Sequence, residues 1–208
     1  MKKTILSKII KGVSGILILS FLLLIAPNCM AYTRNSERNY VSGALQFIPH
    51  KDFGATSISH MNEALYQWNK IGNKKYALLR SPTERHSTTG FFAGCSSGVY
   101  SFNKDGRNYI YREFSTTFTA PGYTKFRMNA SGKVLEAGIC INVSRPFANG
   151  DLPDRYDTWT VFIHEAGHAL GLDHPANNAY AVMNVYAPGT ILRYPQTDDK
   201  NGINAIYV

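Results

Sequence analysis

An α+β domain behind an export segment is the fold class that this sequence predicts, on three observations. Apolar residues recur at helical spacing from residue 57 to 71, short β-rich segments separated by turn residues fill 73–157, and a second helical pattern starts near residue 157. Of the 208 residues, 44% are hydrophobic and 17% charged, which suits one domain with one core and excludes a disordered chain.

The first residues read as a signal peptide. Lys2, Lys3, Lys8 and Lys11 give a positive start, residues 16–26 are apolar apart from Ser20, and Pro27 ends the run. Cys29-Met30-Ala31 is a small-x-small site, so cleavage is expected after Ala31, giving a signal over 1–31 and a secreted, extracellular chain from Tyr32. The apolar run is short against the roughly 20 residues of a spanning helix, so no stable membrane insertion is expected after cleavage. Asn28 and Pro27 are poor neighbours for a lipid anchor at Cys29. The formal charge of +8 falls to +4 without the signal lysines, with 18 basic against 14 acidic residues. No basic stripe interleaved with aromatics is present, so no nucleic-acid partner is expected, and the protein reads as a monomer. Cys95 and Cys140 remain after the signal, and an even pair in an exported chain predicts a disulfide, although two buried thiols would look the same in sequence.

Residues 32–40 are polar and read as a loose arm, followed by a first strand over 41–48 ahead of Pro49. Ile58, Met61, Leu65, Trp68 and Ile71 fall on one face of a helix that Gly72 ends, and His60 beside that face reads as a helix-surface residue. Short strands are expected at 76–79, 99–102, 109–111 and 115–119. Segments 126–128 and 134–143 flank the turn-forming Asn129-Ala130-Ser131-Gly132 and predict a hairpin. Turn formers over 149–154 lead into the second helix, capped by Asp157 or Thr158, and a last helix is expected over 198–207 with Thr197 as cap.

The second helix carries His164-Glu165-Ala166-Gly167-His168-Ala169-Leu170-Gly171-Leu172-Asp173-His174. Residues four apart stand one above the other on a helix, so His164 and His168 can aim imidazole nitrogens at one ion. Glu165 lies about 100° further round the helix, where a base acting on water beside the metal must stand. Gly171 can adopt positive φ and release the chain sharply, which makes His174 the third ligand. Three protein ligands leave a tetrahedral zinc one open position, as in catalytic sites; a structural zinc usually has four, often including cysteine. Neither Cys95 nor Cys140 lies near this run.

HEAGHALGLDH resembles the elongated zinc motif of metzincin peptidases, and HALGLDH is similar to that of the matrixins, the family of matrix metalloproteinases. Met183, nine residues after His174, falls where that family has the methionine of its Met-turn. Asp198-Asp199-Lys200-Asn201-Gly202-Ile203 is similar to the acidic start of the family's last helix, where the aspartates are structural. Phe118-Thr119-Ala120-Pro121-Gly122 is similar to the end of the strand edging its cleft. The resemblance covers 41–208 and implies a mixed twisted sheet with about three helices, a zinc cleft between upper and lower subdomains, and a substrate lying extended against an edge strand. It further implies a zinc endopeptidase acting on proteins or peptides, with Glu165 as base and then acid.

Some family features have no counterpart here. No PRCGxPD-like peptide precedes the domain, so a cysteine-switch prodomain is not expected, nor is a hemopexin-like module after the last helix. His50, His60 and His86 read as scattered, which leaves one zinc as the expected count. Ca2+ could be taken by loop aspartates such as Asp151 or Asp154, but no loop specifies it. Tyr186 stands three residues after Met183, a spacing that does not make it a zinc ligand. The rival reading is a zinc-bearing binding protein or adhesin without turnover, which the intact Glu165 argues against.

Overall fold

The computed structural model describes residues 33–34, 40–72, 75–87, 104–116, 118–176 and 180–207, all within the second of two units that divide at residue 31. The expected signal, the strand at 99–102 and Cys95 lie outside the described residues.

A mixed five-stranded sheet forms the upper layer. Its strands are β2 (Gly43–Pro49), β3 (Tyr76–Arg80), β4 (Asn108–Glu113), β5 (Gly122–Met128) and β6 (Val134–Asn142), in the order β3-β2-β4-β6-β5. Parallel pairing joins β3, β2, β4 and β6, whereas β5 runs antiparallel to β6 and forms one edge. β6 is buried at eight of its nine positions, as a strand flanked on both sides and packed on helices should be. The hairpin predicted around residues 129–132 is present, with Gly132 at a φ of +82° and the Asn129 side chain accepting N–H bonds from Ser131 and Lys133 at 3.0 Å.

Residues 115–119 were expected to form a strand; the described ones form a loop instead. Their carbonyls are taken by a side chain, since Asn142 Nδ2 donates to Ser115 at 3.1 Å and to Phe118 at 2.8 Å. Phe118 to Pro121 therefore precede the edge strand, which starts at Gly122, and do not form its end.

Below the sheet lie α1 (Ala55–Asn69) and α2 (Thr158–Ala169). The helical face read from the sequence is the buried one: Met61, Leu65 and Trp68 pack against Phe47, Ile139, Ile163 and Ala166, all within 4% of full burial. Ala64, Ala166 and Ala169 are fully buried and bring the two helices close together. The indole N–H of Trp68 donates to the Ile163 carbonyl at 2.7 Å, fixing α1 to α2 one residue before His164.

Short pairings complete the domain. β1 (Thr33–Arg34) pairs antiparallel with β9 (Leu172–Asp173), so part of the expected loose arm is a strand. β7 (Phe147–Ala148) pairs with β8 (Tyr156–Asp157). The last helix, α3, spans Thr197–Ile206, and its cap is Gln196 rather than Thr197 because the Asp199 carboxylate accepts the Gln196 N–H at 2.7 Å. Tyr207 then ties the ends together, its hydroxyl donating to Leu170 at 2.8 Å and accepting from the Val41 N–H at 3.0 Å.

Asp157, one of the two caps read from the sequence, starts α2. Its Oδ2 accepts the Thr160 N–H at 3.0 Å and the Thr160 hydroxyl at 2.7 Å, and Arg193 grips both oxygens at 2.7 and 2.9 Å. Burial alone would raise this carboxyl, but Arg193 and Thr160 hold it below the usual carboxylate range. A depressed folded-state value means stability that is complete above the unfolded carboxylate value and is lost as pH falls through the folded one. Asp157→Asn is expected to cost about 2 kcal/mol in urea unfolding at pH 7. That gap should close as the pH drops below about 4; a gap independent of pH would contradict the assignment.

Candidate metal centre

His164 and His168 stand one turn apart on α2. The helix ends at Leu170, and Gly171, at a φ of +94°, turns the chain back so that the residue after β9, His174, returns to the same point. The three Nε2 atoms converge, with His164 lying 3.1 Å from His168 and 3.2 Å from His174. Among the described residues, these three form the one group of three or more histidine, cysteine or carboxylate side chains placed to hold a metal ion.

The opposite ring nitrogens decide what the cluster can do. His164 Nδ1 lies 2.8 Å from the Val182 carbonyl and His168 Nδ1 lies 2.9 Å from the Leu172 carbonyl. A carbonyl only accepts, so each Nδ1 carries the proton and each Nε2 presents a lone pair. Burial, joined by the charge of the neighbouring imidazoles, pushes His164 down to about 3 and His168 down to about 4, so both rings are neutral at neutral pH. Lone pairs that face one another at 3.1 Å do not bond; they call for an electron-pair acceptor between them. Two neutral helix imidazoles with their second nitrogens bonded to backbone, joined by the solvent-exposed His174, fit a zinc ion with an open coordination position.

Glu165 faces the edge strand. Its Oε2 accepts the Thr124 hydroxyl at 2.7 Å, and burial pushes its carboxyl up to about 8 against the opposing effect of that bond. Gly122 leaves the necessary room, since a Cβ there would lie 2.6 Å from Glu165 Oε1. A cleft of about 680 Å³ runs past the triad, with Gly122 to Phe126 along one side and Val182 to Ala187 along the other.

Met183 is buried beneath α2 and held there by the last helix. Asp199, itself buried, accepts the Val182 N–H at 2.8 Å and the Met183 N–H at 3.1 Å, so the aspartate expected to be structural anchors the turn. The Tyr186 hydroxyl donates to the Ala181 carbonyl at 2.8 Å and so braces this turn.

One other group of residues differs from its reading. His50 and His86 are not scattered: a parallel bridge sets their rings 5.2 Å apart, both buried, and nearby Asp52 lies 3.7 Å from His50 Nδ1 without completing a ligand set. Asp151 and Asp154 are exposed, and Asp154 lies 3.9 Å from Arg155. Cys140 is fully buried on β6. Thr124 and Gly122 were not found from the sequence. They lie about 40 residues from Glu165 and meet it only through the packing of β5 on α2, for which no local pattern exists.

A helix bearing two histidines, a glycine exit to a third and a methionine turn beneath, all under a mixed sheet, define a metzincin-like α+β domain. A family model described as Matrixin matches residues 37–208, and the chain belongs to the matrixin family. The family implies a zinc-dependent metalloendopeptidase acting on proteins or peptides. Comparison with curated proteins returned no match.

The close fit around Met183 is open to test. A Cβ on Gly167 would overlap Met183 Sδ and lie 2.8 Å from the Trp68 ring. Gly167→Ala should therefore destabilise by about 2 kcal/mol in urea unfolding. Glycine to alanine in an unobstructed helix gains about 1 kcal/mol, so a stability increase would show that the contact is not tight.

Proposed function

We propose that His164, His168 and His174 hold a catalytic zinc and that Glu165 moves the proton in hydrolysis of internal peptide bonds. The observation that carries this reading is the convergence of three imidazole Nε2 atoms beside a buried carboxylate on the wall of an open cleft. When bound, zinc supplies Lewis acidity to the scissile carbonyl and to the attacking water.

The remaining steps belong to the chain. Among the described residues β5 pairs only with β6, so its other edge borders the cleft and can align an extended peptide. Thr124 occupies Oε2 of Glu165 and thereby orients the carboxylate, leaving Oε1 to take the proton of the attacking water. The same oxygen then returns the proton to the departing amine, so one carboxylate is base and acid in turn. The Nδ1 bonds to Val182 and Leu172 keep the two helix imidazoles from rotating as charge develops. The signal pattern of residues 1–31 supports action outside the cell.

Glu165→Gln should keep about one zinc per chain by mass spectrometry and lower cleavage of casein or peptides by about 10²–10⁴. Wild-type cleavage should stop on chelation and return with added zinc. Undiminished cleavage by the variant would remove Glu165 from the mechanism.

A further inference from the structure

Beyond His164, the cleft follows α2 toward its N-terminus. Thr160 and Val161 lie one turn before His164 and line this end, with Val182, Tyr186 and Ala187 across from them. The chain that forms this outer wall then crosses over the start of α2, and four contacts pin it there. The Gly189 N–H donates to the Arg155 carbonyl at 2.8 Å, and a Cβ on Gly189 would lie 2.8 Å from the Pro153 carbonyl oxygen. The Leu192 N–H donates to the Thr160 hydroxyl at 3.0 Å. Arg193 grips Asp157 with two bonds and lies over the Trp159 ring, 5.2 Å from its centroid.

Thr160 is the link between these contacts. Its hydroxyl donates to Asp157 and accepts from Leu192, so the helix cap, the cleft lining and the wall share one hydrogen-bonded chain. Asp157 is 1% exposed, and the Arg193 side chain 24%. A pair this buried, bidentate and joined to a hydroxyl has one geometry, unlike a solvated surface pair.

We infer that Asp157 and Arg193 are positioning residues that set the length of apolar substrate side chain admitted beyond His164. The inference rests on the peptidase reading of this cleft. Val161, Val182 and Ala187 give that end an apolar lining, and the pinned wall closes it at a fixed distance from the helix. With Arg193 unable to hold Asp157, the wall keeps only its backbone bonds and can move outward, so longer side chains gain room. Neither residue touches the reacting atoms.

The test uses the full exported protein and two peptides that differ only in carrying leucine or tryptophan just after the cleaved bond. Arg193→Met should raise the tryptophan-to-leucine ratio of kcat/KM by about tenfold, mainly through KM. Arg193→Lys, which keeps the charge but makes fewer bonds, should fall between the two. Hydrogen exchange gives a readout that does not need turnover: the Gly189 and Leu192 amides should exchange about tenfold faster in Arg193→Met. An unchanged ratio, an equal fall for both peptides, or unchanged exchange at these amides would overturn the inference. If wild type cut neither peptide with zinc bound, the peptidase reading would fall, and the exchange rates would still decide whether the pair holds the wall.

Discussion

Two hydrogen bonds from imidazole Nδ1 to backbone carbonyls, at Val182 and Leu172, fix which way the helix histidines face and which nitrogen each leaves bare. Much of the lower half of the domain can be traced to keeping those two carbonyls in place. Leu172 is positioned because Gly171 turns the chain out of α2. Val182 is positioned because Asp199 holds its N–H and that of Met183 from the last helix. Met183 then fills the space under Gly167 that any larger residue would close. The last helix is thus coupled to the centre through a carboxylate and a carbonyl, although it contributes no ligand.

The upper half performs a different task. Glu165 points up from α2 into the edge of the sheet, where Thr124 and Gly122 of β5 bury it and orient one oxygen. In the proposed mechanism, the strand that would align a peptide is therefore also the strand that orients the base. Substrate alignment and proton transfer would both depend on the packing of β5 on α2. At the other end of the helix, Asp157 caps α2 and takes Arg193 from the outer wall, so one helix is gripped at its start by Arg193, at its middle by Trp68 and at its end by Tyr207.

What could be read from the sequence follows from how local each feature is. His164, His168, Gly171 and His174 lie within 11 residues, and helix geometry with one flexible exit suffices to bring them together. The α1 face was readable for the same reason, whereas Met183 was placed by its resemblance to the family's Met-turn. The bonds that tune the site were not, because Thr124 to Glu165 and Asp157 to Arg193 span 41 and 36 residues and depend on sheet register and loop path. Local pattern also misled at residues 115–119, where threonines around Phe118 suggested a strand but Asn142 captures the carbonyls. His50 and His86 looked unrelated until a parallel bridge placed their rings together. The last-helix cap moved from Thr197 to Gln196 because a carboxylate three residues on reaches back, a reciprocal bond that residue preference alone does not reveal.

The central claim is that three bare imidazole nitrogens converge on one zinc with no sulfur among its ligands. X-ray absorption at the zinc edge of the loaded protein tests it most directly. The account predicts scattering from three imidazoles and a remaining oxygen-type neighbour, with one imidazole lost in His174→Ala. A sulfur ligand, fewer than three imidazoles in the wild type, or an unaltered spectrum in that variant would contradict it.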